Sequence, residues 1–321
     1  MRATSFSVMR RYRDDLQTMP WITLAGYGLL IVFYGLLISF LLPAAWQVVF
    51  MRILLVTPLT LIVAKDLACF PLSVARVKSA KARGAAWPLF LWALAPPEFL
   101  SYMRLDGAMW RGVFNWLLRR QHPSQPTGTP FGYLERGSYD TVICLVLVAL
   151  IVELPVDVLI ASVMAKTPEQ RHMLHLIFGL IAAYSLVWVL GDRWHVLGRR
   201  HHILTETSLE LDIGARGFGS IPLDAIVGCE RLDESPQSWC MRNAYALHAT
   251  RKLTPFDAPN LVLLLKPGCD VQLCLLQQKR GGDGPIFLYL DRPELLIAGI
   301  AERGTHCLPG GVATCVPAEA R

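Results

Sequence analysis

The stretch from Tyr184 to Ile226, YSLVWVLGDRWHVLGRRHHILTETSLELDIGARGFGSIPLDAI, decides how the chain is read. Its opening residues complete an apolar helical run. After Arg193 the hydrophobic period shortens from 3.6 residues to 2, the change expected where helices give way to strands. Spanning helices therefore precede this stretch and a β domain follows it.

Upstream, four apolar runs reach spanning length, since a hydrocarbon core takes ~20 residues of helix. Trp21 to Leu42 carries no charge and ends at Pro43, and Ala45 to Ala64 follows at once, interrupted by Arg52 and Pro58. Tyr139 to Met164 and Met173 to Leu190 are joined by the short turn Ala165 to His172. Two helical hairpins are expected. Arg10, Arg11 and Arg13 imitate the start of a signal peptide, but the run behind them exceeds the ~7–15 residues of a signal core, so it reads as an anchor.

Lys and Arg residues flanking spans favour the cytoplasmic side. Arg2, Arg10, Arg11 and Arg13 precede the first hairpin; Lys65, Arg76, Lys78, Lys81 and Arg83 follow it. Arg119, Arg120 and Arg136 precede the second, and Arg193, Arg199 and Arg200 follow it, against only Lys166 and Arg171 on its turn. Both termini are expected inside. The chain is 53% hydrophobic and 17% charged with mean hydropathy +0.40, too apolar for an ordinary soluble protein. Its net charge of +6 gathers at span edges, which points to anionic lipid rather than nucleic acid.

Of the eight cysteines, Cys229, Cys240, Cys269, Cys274, Cys307 and Cys315 fall in the domain expected to be cytoplasmic, where reduced thiols are the rule. No CxxC pair occurs, and the spacing of Cys269 and Cys274 does not suit a structural zinc knuckle. His172 and His175 are separated from His195, His201 and His202 by a span of ~27 Å, so one metal site cannot gather both groups. No metal or cofactor is expected, and elbow, Walker, HExxH and dinucleotide signatures are absent.

Five segments result: an amino-terminal hairpin (1–65), an intervening segment (66–138), a second hairpin (139–192), a β domain (193–304) and a flexible tail (305–321). Within the second, Pro96 and Pro97 start a helix in which Phe99, Leu100, Met103, Trp110, Val113, Phe114 and Leu117 recur at helical spacing. That face suits the membrane interface, or else packs against the spans. Gln121 to Pro130 reads as a linker. In the β domain seven strands are expected near Ser208–Ile213, Gly217–Ile221, Ala225–Arg231, Ala244–Ala249, Asn260–Lys266, Asp270–Leu276 and Pro285–Leu290. A final helix follows, with Asp291 as its cap and Pro293 and Glu294 in its first turn.

The segments LTETSLE (Leu204 to Glu210), GARG (Gly214 to Gly217), SIPLDAI (Ser220 to Ile226) and YLDRPE (Tyr289 to Glu294) carry a resemblance. Over about residues 193 to 304 the chain resembles the bacterial pleckstrin-homology-like domains borne on membrane anchors. YSLVWVLGDR (Tyr184 to Arg193) is similar to the segment before that domain in bacterial integral membrane proteins. The resemblance implies an α+β membrane protein of the bacterial inner membrane: four transmembrane helices in two hairpins, then a seven-stranded antiparallel domain capped by a helix. It also implies a binding or assembly module, with no catalytic residues to carry over.

Two sets of side chains are candidate sites. Glu153 and Asp157 stand four apart on one face of the third run, with Pro155 between them. Ionisable groups in lipid usually serve a function. A bridge from Arg52 to Glu153 or Asp157 is the first reading, and an ion or proton pathway is the alternative. Arg199, Arg200, Lys279 and Arg280 are candidates for contact with head groups or a partner. The expected function is accessory and non-enzymatic: the β domain binds a partner protein or lipid head groups in support of a membrane complex. A small transporter using Glu153, Asp157 and Arg52, or a membrane enzyme acting on a hydrophobic metabolite, are the competing classes.

Overall fold

The computed structural model describes residues 16–17, 19–39, 42–84, 86–122, 124–165 and 167–303. Arg2, Arg10, Arg11, Arg13, Lys166, Cys307, Cys315 and the tail 305–321 lie outside them. The chain divides into two compact units, Met1–Tyr102 and Met103–Arg321.

In the amino-terminal unit, α1 (Trp21–Ser39) and α2 (Ala44–Ala82) form the expected hairpin. The helices approach closely at Gly35, where a Cβ would sit 2.1 Å from Leu54 Cδ1 and the leucine side chain would have to move. Lys65 is buried; its ammonium donates to Leu16 O at 3.0 Å and to Met19 O, and lies 5.0 Å from the Trp21 ring centroid. The carboxylate of Glu98 accepts from the Trp21 N–H at 2.6 Å, satisfying a donor in the first turn of α1. α2 continues well past Ala64, where the second span was expected to end. Lys65 and Asp66 close an apolar run without breaking a helix, which ends only at Arg83 and Gly84, with Gly84 at φ +71°. Two helices, α3 (Trp87–Leu94) and α4 (Pro97–Leu117), occupy the segment expected to be interfacial.

Three helices among the described residues are long and apolar enough to cross a membrane: Ala45–Ala82, Tyr139–Val163 and Pro168–Gly198. The described apolar run of α1, Thr23–Val32, is shorter. The carboxyl-terminal unit contains the second hairpin, α5 (Tyr139–Met164) and α6 (Pro168–Gly198), close to the expected positions. Thr167 caps α6 through its hydroxyl, which accepts the Gln170 N–H.

The rest of that unit is α+β. One sheet has the order β1 (Thr129–Gly132), β2 (His201–Leu204), β3 (Ser208–Asp212), β4 (Gly217–Pro222), β8 (Leu273–Leu275), β9 (Gln278–Arg280). The other has β5 (Ile226–Arg231), β7 (Leu261–Leu265), β10 (Ile286–Leu288), β6 (Arg251–Leu253). Every pair is antiparallel except β10 with β6. Leu209, Leu211, Ile221, Leu263, Leu273 and Leu288 belong to one core, to which α8 (Pro293–Glu302) contributes Leu296 and Ile300.

The described residues hold ten strands where seven were expected. β1 arises inside the linker because Phe131 is buried in the core, and β2 occupies the basic stretch after the hairpin. Ala244–Ala249 makes a turn and a short 3-10 segment instead of a strand; pairing begins at Arg251. Arg251 is buried, which disguises the strand in sequence, and its guanidinium donates to Val271 O, Gly282 O and Gly284 O at 2.7–2.9 Å. Between the expected strands ending at Arg231 and beginning at Ala244 lies α7 (Pro236–Arg242), capped by Ser235. Its Trp239 packs on Phe287 and Tyr245, covering the outer face of the second sheet. Burial on both faces explains why Leu261–Leu265 is an uninterrupted apolar run.

Candidate functional site at the hairpin and sheet junction

Polar side chains fasten the sheets to the start of α5 and the end of α6. Asp192, near the end of α6, is buried beside an apolar helix, where an unpaired charge would be costly. Arg216, on the 3-10 turn Gly214–Arg216, meets it with Nε 2.9 Å from Oδ1 and Nη2 3.1 Å from Oδ2. Tyr139 OH donates to the same Oδ2 at 2.9 Å. The guanidinium lies 4.5 Å from the Phe256 ring centroid and donates to Pro255 O at 3.0 Å. The planar guanidinium, set on the Phe256 ring, is thus held against one carboxylate, a position that suits arginine better than lysine.

The entry to α5 is held by two more carboxylates. Asp257 accepts the Ser138 N–H at 2.8 Å, and Asp291 accepts those of Glu135 at 3.0 Å and Arg136 at 2.8 Å. This corrects the expectation that Asp291 caps the last helix. α8 begins as foreseen, but its cap position is Arg292 and no side chain caps it. In the GARG segment Gly214 has φ +73°, whereas Gly217 is extended, and a Cβ there would lie 2.7 Å from Leu253 Cδ1.

α4 crosses α6 at the same level. A Cβ on Gly191 would sit 2.2 Å from Met109 O, and one on Gly112 would sit 2.7 Å from Gly191 O, so the two backbones touch. Asp106 accepts from Tyr184 OH at 2.6 Å and Trp188 Nε1 at 2.9 Å, and His195 Nε2 lies 2.9 Å from Ala108 O. The packed face of α4 is Leu105, Ala108, Met109, Gly112 and Val113, leaving Met103, Trp110, Phe114 and Leu117 exposed. Helical spacing identified side chains that are mostly exposed; Leu105, Ala108, Met109 and Gly112 beside them, with Val113, make the contact.

Next to the junction an open cleft of about 380 Å³ is lined by Gln125, Arg199, His201, Glu210, Asp212 and Ser220, among others. One pair of its charges is neutralised within it, and Glu210 is held by hydroxyl groups. Arg199 pairs with Asp212, and Ser208 and Ser220 donate to Glu210. Burial pushes the Asp212 carboxyl up, against the pull of Arg199. Behind the cleft, His202 is fully buried and stacks on Tyr133, with ring centroids 4.9 Å apart. Its Nδ1 accepts the Asp212 N–H at 3.0 Å, so Nδ1 is unprotonated and the ring neutral. Burial pushes its pKa down to about 3.

The four expected contact residues do not converge. Arg199 is ion-paired, Arg200 is exposed and donates to Leu197 O, and Lys279 and Arg280 lie on the edge strand β9. Four strand spacings of ~4.8 Å separate β2 from β9, ~19 Å in all. Glu153 is exposed and Asp157 half-buried on α5, and among the described residues of that unit neither makes an ion pair. Arg52 is exposed on α2 and borders a shallow groove with Ile53, Val56, Thr57, Thr60 and Leu61. Among the described residues no group of three or more His, Cys, Asp or Glu could hold a metal ion. No family model, curated protein or solved structure matches this chain.

Proposed function

We propose that this is a non-enzymatic accessory protein of the bacterial inner membrane, four-span with both termini cytoplasmic. Its sheet domain, of pleckstrin-homology-like type, binds a partner protein or lipid head groups and so supports assembly or regulation of a membrane complex. The Asp192–Arg216 junction is the observation that carries this reading. A domain bound at both ends of a hairpin by buried polar contacts passes load or position to the membrane without a flexible joint. In the adjoining cleft Arg199 and Asp212 neutralise each other and serine hydroxyls hold Glu210, an arrangement that suits recognition better than proton transfer.

Glu153 and Asp157 favour a second reading, a small transporter or ion-conducting protein that also uses Arg52, because carboxylates on an apolar helix need a compensating environment. Glu153→Gln and Asp157→Asn, introduced together, separate the two. The accessory reading expects cellular function and partner recovery to persist. Loss of function with normal folding and undiminished partner recovery would establish the transport reading instead.

A further inference from the structure

The inner end of α4 carries a second, basic site. The helix finishes in a Schellman closure: Arg120 N–H donates to Asn115 O at 2.9 Å and Arg119 N–H to Trp116 O at 3.0 Å. The residue between these bonds takes a left-handed conformation, and glycine is normally found there. Here it is Arg119, at φ +50°. A strained backbone at a position that glycine would relieve directs attention to the side chain retained.

Arg119 and Arg120 line an open cavity of about 470 Å³ with Trp116, Leu117, His122 and Trp194. The rings of His122 and Trp194 pack with centroids 4.6 Å apart, and His122 rests where a Cβ on residue 198 would have to be, which explains Gly198. Among the described residues neither Arg119 nor Arg120 has an ion-pair partner, unlike Arg193, Arg199 and Arg216 of the same unit. The exposed apolar side chains Trp110, Phe114, Leu117 and Leu118 lead along α4 to this cavity. Two unpaired guanidiniums bordered by tryptophans, at the end of an apolar helix face, complement an anion that carries hydrocarbon.

We propose that this cavity binds the phosphate of an anionic phospholipid between Arg119 and Arg120, with the acyl chains along the exposed face of α4. The site is separate from the sheet domain. It rests on the membrane location in the reading above but not on any protein partner.

The test is a titration of the full chain in neutral detergent with dihexanoyl phosphatidylglycerol, dihexanoyl phosphatidylcholine and inorganic phosphate, bound species being counted by native mass spectrometry. No partner is present, so failure here is distinct from failure of the accessory reading. The wild type should bind the anionic lipid at least tenfold more tightly than either other probe. Each basic residue near an anionic surface contributes about fivefold. Arg119→Gly should therefore weaken that binding about fivefold while keeping or raising the melting temperature, because glycine relieves the left-handed position. Arg120→Gln should weaken it to a similar degree without touching that position. Equal binding of the two lipids, inorganic phosphate binding as tightly as the anionic lipid, or unchanged affinity in both variants would overturn the proposal.

Discussion

Asp192 is a carboxylate at the end of an apolar helix, and its charge is tolerable because the Arg216 guanidinium faces it and Tyr139 OH donates to it. Removing one member of a buried pair costs about 3–5 kcal/mol, since the other charge is left behind. Asp192→Asn should therefore lower the thermal stability of the purified protein strongly, and the double variant with Arg216→Met should recover part of the loss. A change within a few tenths of a kcal/mol for the single variant would show that the pair does not hold the junction. His202 makes a pH prediction at the same scale. Its folded pKa of about 3 lies below the ordinary value of ~6.5, so between these values the unfolded chain binds the extra proton and stability falls as pH falls. By pH 5 this amounts to about 2 kcal/mol. The raised carboxyl of Asp212 has the opposite sign, losing stability as pH rises above the ordinary carboxylate range, so the His202 contribution is read as a difference. Denaturant melts at pH 7 and pH 5 should show a steeper loss for the wild type than for His202→Gln; parallel curves would refute the assignment.

Among the elements, α4 and α6 depend on backbone contact at Gly112 and Gly191. Gly191→Ala places a methyl group 2.2 Å from Met109 O and should destabilise the protein by about 1–3 kcal/mol. Gly179→Ala on the same helix meets nothing within 4 Å and should leave the melting temperature unchanged or slightly higher. Similar losses in both would mean that the crossing does not require glycine. This scale also shows what can be read from sequence. α5 and α6 were legible because their apolar runs are long enough to outweigh Glu153, Pro155 and Asp157, and β3 and β4 because their residues alternate between core and solvent. β6 was missed because a buried arginine fills it, and α7 because seven residues carry too little periodicity. Asp192 and Arg216 both stand in quoted segments, GDR and GARG, yet their pairing across 24 positions leaves no local signal.

At the scale of the whole molecule, long apolar helices and antiparallel sheets were foreseen as classes of element, whereas the polar junction between them emerged only with the fold. Glu153 and Asp157 remain the intramembrane candidates on which the transport reading depends. Affinity purification of the full chain from native membranes after mild cross-linking tests the accessory role most directly. A membrane partner should be recovered reproducibly, in near-stoichiometric amount, with both the wild type and the Glu153→Gln, Asp157→Asn variant. Recovery of the chain alone, with neither a copurifying protein nor bound lipid, would contradict it.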